Sequence, residues 1–132
     1  MEIVISHEHG AVPITVFHIK GEMDVNTYEQ FQTQAEEAFE AGTRYLLLDL
    51  SETTYLSSAG LRGLHHVFNL LRADSPDKDD ATVYQGIRDG TFKSRSLRLL
   101  NPQPVVLKTL KTAGFDMYLE IHRSFKDAIA SF

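Results

Sequence analysis

Two adjacent hydroxyls, Ser57 and Ser58, stand directly before Ala59-Gly60-Leu61-Arg62, with His65 and His66 a little further on and Asp24 and Asn26 well upstream. A serine hydroxyl has three chemical uses here: nucleophile, helix cap or phosphate acceptor. The first needs a histidine base within hydrogen-bond reach. The stretch after Ser58 has helical spacing, so His65 and His66 lie about 10 Å further along the same axis at 1.5 Å rise per residue. No Gly-x-Ser-x-Gly elbow surrounds either serine, so serine nucleophilic catalysis at this loop is not expected. The other two uses remain. A helix N-terminus carries unpaired N–H groups and partial positive charge, which a serine oxygen caps and an added phosphate favours.

Other chemistries lack their ligands. Cysteine is absent, which removes disulfides, cysteine-bound zinc and thiol catalysis. Adjacent histidines on a helix point apart, since residues three or four apart share a face, so His65 and His66 make a poor metal pair. The acidic run Asp74, Asp77, Asp79 and Asp80 invites a calcium reading. Counted from Asp74, however, the sixth and twelfth positions are Asp79 and Gln85 where a calcium loop needs glycine and glutamate. Neither glycine-rich nucleotide loop occurs.

The elements that must hold these residues follow from periodicity. Residues 45–50 form a short apolar run of the type buried on both faces of a sheet, followed by a polar bend. Leu61, Leu64, Val67, Phe68 and Leu71 then recur at helical spacing, with Arg62, His65, His66, Asn69 and Arg72 on the opposite, solvated or partner-facing side. Upstream, residues 3–5 and 12–19 read as a strand pair turning at Gly10, with Pro13 at a strand start. Asn26 with Glu29 resembles a capping box for a helix whose stripe is Tyr28, Phe31, Ala35, Ala38 and Phe39, stopped at Gly42.

Downstream, residues 73–96 break the pattern. They read as a solvated, mobile excursion with a short extra element around 81–84, and their length allows a partner-contact role. A strand over 96–100 leads to Asn101-Pro102, and Pro104 opens a helix ending at Gly114. A last strand over 117–122 precedes a closing helix with Ser124 and Asp127 at its start and Phe125, Ala128, Ile129 and Phe132 on its apolar face. The order is ββαβαβαβα: an α/β fold with parallel crossovers and an antiparallel edge.

With 132 residues and 42% hydrophobic content, one domain with a single core is expected. A formal charge of -5 and a pI near 5.6 argue against a general nucleic-acid binder or a ligand for acidic membranes. The N-terminal residues lack the basic start and apolar core of a signal peptide, and no apolar run reaches the roughly 20 residues of a membrane span. A cytoplasmic location is the expectation.

Four motifs, in order, carry a family resemblance: Gly21-Glu22-Met23-Asp24, the segment LLLDLS from Leu46 to Ser51, Ser57-Ser58-Ala59-Gly60-Leu61-Arg62, and Leu99-Leu100-Asn101-Pro102. The sequence resembles a STAS domain, the fold of bacterial anti-sigma factor antagonists and of the cytoplasmic tails of sulfate transporters. The resemblance implies a SpoIIAA-like mixed sheet of four to five strands with helices mainly on one face, spanning residues 1–132 and bearing a long polar insertion at about 74–96. It implies a non-enzymatic module, without cofactor, that docks on an anti-sigma factor or serine kinase-like partner through Asp24, Asn26, Ser57, Ser58, Gly60, Leu61 and Arg62. Leu61 is assigned more to core than to contact, and a homodimer is left open. Phosphorylated members read Asp-Ser-Ser/Thr-Gly, with phosphate on the hydroxyl residue before the glycine. Aligning on Gly60-Leu61 puts Ala59 there, so Ser58, and after it Ser57, are the remaining candidates for phosphorylation. The family also leaves open a STAS domain that binds a nucleotide or lipid.

Overall fold

The structure is a computed structural model describing residues 1–132. Five strands form one mixed sheet in the order β1-β2-β3-β4-β5. β1 (Glu2–His9) runs antiparallel to β2 (Pro13–Met23), and β3 (Leu46–Leu56), β4 (Leu97–Leu100) and β5 (Glu120–His122) continue the sheet in parallel. The helices are α1 (Tyr28–Glu40), α2 (Ser58–Arg72), α3 (Asp80–Asp89), α4 (Pro104–Thr112) and α5 (Phe125–Ser131), with a 3-10 turn over Phe115–Met117.

The two faces of the sheet are unequal. Phe17, Ile19, Leu46, Leu48, Leu50, Leu97 and Leu99 point into a cluster of 21 buried residues that includes Phe31 from α1, Leu64, Val67, Phe68 and Leu71 from α2, Val83 from α3 and Leu110 from α4. On the other face Ile14, Val16, Leu47 and Leu100 meet only Ala128 of α5, with Ile129 and Phe132 partly buried beside them. Helices packed mainly on one face are therefore observed, and the predicted series of strands and helices holds with one helix added, α3 between α2 and β4. The alternation of side chains along each strand forces the division: neighbours in sequence face opposite sides.

Several boundaries differ from expectation. No polar bend follows residue 50: β3 continues to Leu56 because β2 also runs on to Met23 and supplies a partner throughout. Thr53, fully buried there, donates its hydroxyl to the Ile19 carbonyl at 2.8 Å. Gly21, at a φ of 101°, absorbs the irregular register of this extension. β1 is longer than the expected 3–5, and β5 is shorter than 117–122 because Met117 lies in the 3-10 turn. Phe125 remains 39% exposed, so the apolar face of α5 is carried by the other three residues.

The largest correction is at 73–96. The last two residues of the acidic run open a ten-residue helix that contains the expected element around 81–84: Asp79 caps α3 by accepting from the Thr82 N–H at 3.3 Å, and Gly90 closes it at a φ of 75°. The helix is fixed by Arg72, which was expected on the solvated side of α2 and is instead buried. Its guanidinium pairs with Asp80 and donates to the Asn69 side chain at 2.9 Å and the Asp77 carbonyl at 3.3 Å. Arg95 holds Asp77 at 2.9 Å. Burying Val83 and packing Ile87 and Phe92 against the core supplies the apolar return.

Candidate functional site

The site is a corner where the ends of β2 and β3 turn into α1 and α2. Ser57, in extended backbone, is the N-cap of α2, and its hydroxyl accepts from the Gly60 N–H at 3.2 Å. Its own N–H donates to the Met23 carbonyl at 3.0 Å, which ties the two loops together. Gly60 makes the contact close. A Cβ there would stand 2.6 Å from Leu56 Cδ1 and 2.6 Å from the Met23 carbonyl oxygen. Only a residue without a side chain lets α2 start this near the end of β2.

The Met23–Asn26 loop is held by its own hydrogen bonds. Asp24 Oδ1 accepts from the Asn26 N–H at 2.9 Å and from the Thr27 hydroxyl, and that hydroxyl also reaches the Glu22 carbonyl at 2.9 Å. The expected Asn26–Glu29 capping box does not form: Thr27 is the N-cap of α1 and makes no side-chain cap bond. Thr27 is one residue nearer the helix, and Asp24 draws its hydroxyl back toward the turn. Asp24 thus acts as a turn-forming aspartate, whatever else it does.

These turns leave a defined surface. Ser58, Arg62 and Asn26 are exposed, Val25 is 67% exposed and Tyr55 47%. Ala59 is buried at 5%, so the methyl group of the residue before Gly60 faces inward while the Ser58 hydroxyl faces out. No acidic residue occupies the first turn of α2, so the positive end of the helix lacks a local carboxylate to offset it. All seven sequence-predicted site residues lie in these two adjoining loops and the first two turns of α2.

Leu61 has two surroundings: it packs against the core and lines a shallow groove of about 480 Å³ that continues along α2 past Arg62, His65, His66 and Asn69 to Phe115. The histidines diverge. His66 Nε2 lies 2.9 Å from Glu36 on α1. His65 lies against the Tyr84 ring of α3, with centroids 6.5 Å apart. Burial, and secondly the charge of Arg72, push its pKa down. Ser57 and Ser58 do not line the groove.

One constellation escaped the sequence reading. Ser6, His18 and Asp49, on three neighbouring strands, are joined by side-chain hydrogen bonds on the sheet face away from α1 and α2. They are 12 and 31 residues apart in sequence. Their union depends on strand register, which spacing alone does not supply.

The STAS domain family model matches residues 3–75, just over half of the chain. The chain belongs to the STAS domain family. Among solved structures, an anti-sigma factor antagonist from Mycobacterium paratuberculosis superposes with a TM-score of 0.70 at 17% identity, over 98% of this chain and 93% of that one. The Bacillus cell fate determinant SpoIIAA in its phosphorylated form gives 0.60 at 18% identity, covering 96% of each chain. Unphosphorylated SpoIIAA, an anti-sigma factor antagonist, gives 0.59 at 17% identity, with 95% of this chain and 93% of that one covered. At these identities the likeness establishes the SpoIIAA-like fold. A search of curated proteins finds no match to the chain. No helix is long and apolar enough to cross a membrane.

Proposed function

We propose that this protein is a regulatory docking module of the anti-sigma factor antagonist type, a single domain over residues 1–132 that acts in the cytoplasm without catalysing a reaction of its own at the docking surface. Its partner is an anti-sigma factor or a related serine kinase-like protein. The observation that carries this reading is the hydrogen bond from Ser57 to Met23 together with the Gly60 contact, which joins two loops into one rigid corner with an exposed serine and arginine. Two proteins that share the fold, both anti-sigma factor antagonists, support the reading.

Asp24, Asn26, Ser58 and Arg62 supply the polar contacts. Ser57 and Gly60 hold the corner in shape, and Leu61 contributes the apolar edge of the adjoining groove. Ser58 is the phosphoacceptor, because its hydroxyl is exposed at the positive end of α2 whereas Ala59 has none and Ser57 uses its own as a cap. A phosphate at Ser58 adds about -1.5 to -2 charge and a bulky acceptor group to the contact surface, which displaces a docked partner without refolding the domain.

The test is to incubate the protein with the purified kinase-type anti-sigma factors of its own genome and ATP, then map modifications by mass spectrometry and measure binding by titration calorimetry. Saturable binding with phosphate on Ser58 is the expected result. Binding without phosphate on either serine reduces the function to constitutive docking. Absence of binding, with saturable heat from a nucleotide alone, contradicts the docking reading and favours the ligand-binding one.

A further inference from the structure

The Ser6–His18–Asp49 constellation has the connectivity of an activated nucleophile. Ser6 Oγ lies 3.0 Å from His18 Nε2, and His18 Nδ1 lies 2.8 Å from Asp49 Oδ2. The second carboxylate oxygen, Oδ1, accepts from the Ser51 N–H at 3.0 Å. An ionised carboxylate only accepts hydrogen bonds, so the neutral imidazole must place its proton on Nδ1. Nε2 is then the lone-pair atom facing the serine hydroxyl. Burial alone would raise the Asp49 carboxyl, but hydrogen bonds from His18 and Ser51 and the charge of His18 together hold it below its ordinary value of 3.8.

The fold makes this arrangement rigid and reachable. Val4 pairs with His18 and His18 with Asp49 in register, and Ser6 is two residues along β1 from Val4, on the same face. The flanking Phe17 and Ile19 point into the main core on the other side. α5 covers Ile14, Val16, Leu47 and Leu100 but not the next rung, where the His18 and Asp49 side chains remain 28% and 17% exposed. All three groups sit on paired strands, which fix geometry better than loops do.

We propose that Ser6 is a nucleophile for small activated acyl esters, with His18 as general base and Asp49 as the residue that positions it. Ser6 Oγ forms a bond to the acyl carbon while its proton passes to His18 Nε2. The ester C–O bond breaks, and the departing alcohol leaves with that proton. A water molecule then gives its proton to His18 and attacks the acyl-serine, whose C–O bond breaks as the serine recovers a proton. The site is an open sheet face beside the 42% exposed Val4, which suits a small aryl or alkyl ester rather than a long chain. It lies roughly 25 Å from Ser57, eight residues further along β3 at about 3.3 Å each, and on the opposite face from α2. The assignment does not rest on the docking function.

The experiment treats the full chain with a rhodamine-tagged fluorophosphonate and maps the adduct by mass spectrometry, alongside the initial rate of 4-nitrophenyl acetate hydrolysis. The expected adduct is on Ser6 and absent from Ser6→Ala, whose circular dichroism stays native. In His18→Gln the labelling rate falls about 100-fold, the scale of general-base assistance, and Asp49→Asn lowers it without changing the modified residue. Labelling of Ser6 no faster than in the urea-unfolded chain would overturn the proposal and leave a polar ladder between strands. So would a rate unchanged in His18→Gln. The comparison of folded with unfolded wild type decides the matter even if a variant fails to fold.

Discussion

Two surfaces of this molecule display serines, and their neighbours give them different chemistry. At the α2 corner, the Ser57 hydroxyl is committed to the Gly60 N–H and Ser58 projects into solvent. On the open sheet face, Ser6 faces an imidazole that a carboxylate orients. The first pair is suited to capping and to receiving a phosphate from another protein's active site. The second has a base of its own. A serine's role is therefore set by the group its oxygen touches: at the corner a helix N–H three residues on, supplied by local sequence, and on the sheet face a histidine brought there by strand register.

The sharpest way to break the comparison is at Gly60. Gly60→Ala puts a methyl group against Leu56 and the Met23 carbonyl, so the corner must open. Overpacking of this kind costs about 2–3 kcal/mol, read as a lower urea midpoint with unchanged slope. The sheet-face serine should keep its fluorophosphonate reactivity in the fraction that remains folded.

Next comes the cap. Ser57→Ala removes the acceptor for the Gly60 N–H and should cost about 1 kcal/mol. Ser58→Ala, which removes an exposed hydroxyl with no partner to lose, should stay within about 0.5 kcal/mol. Equal losses from the two would show that Ser58 also holds the corner together.

The pH dependence separates the two sides of the sheet in a different way. His65, on the α2–α3 side, has a lowered pKa, so the unfolded chain binds its proton first as pH falls. Its contribution to stability is complete above 6.5, its ordinary value, and is lost as pH falls through the folded value. Asp49 also has a lowered pKa, but its contribution is complete above 3.8 and disappears only as pH falls further. Denaturation midpoints from pH 7 to pH 3 should therefore decline in two windows. His65→Gln should flatten the upper window, and Asp49→Asn the lower.

Much of the corner was legible because its information is local. A serine three residues before the Gly60 N–H it caps, a glycine at the close approach, and an apolar stripe of period 3.6 all lie within 57–71. The helix at 80–89 was legible only as a short element around 81–84, for the opposite reason. Its buried apolar content is one valine, with Ile87 and Phe92 partly buried beside it, and its first residues are acidic, so local pattern reads as solvent. What holds it is Arg72, eight residues before Asp80, an interaction visible only once α2 has folded and turned that side chain inward. The same limit hid Ser6, His18 and Asp49, since pairing register is a tertiary quantity. The misplaced capping box had a smaller cause: Asn26 and Thr27 are both capping residue types, and the bonds among Thr27, Asp24 and Glu22 decide between them.

The central claim is that docking uses the α2 corner and not the sheet face. The most direct measurement is the affinity of a cognate kinase-type anti-sigma factor, by titration calorimetry, for wild type, Arg62→Glu, Ser58→Glu and Ser6→Ala. Arg62→Glu and Ser58→Glu should each weaken binding about tenfold or more, equivalent to about 1.4 kcal/mol, while Ser6→Ala binds as wild type. Loss of affinity in Ser6→Ala with both corner variants unaffected would place the interface on the other side of the sheet and contradict the account.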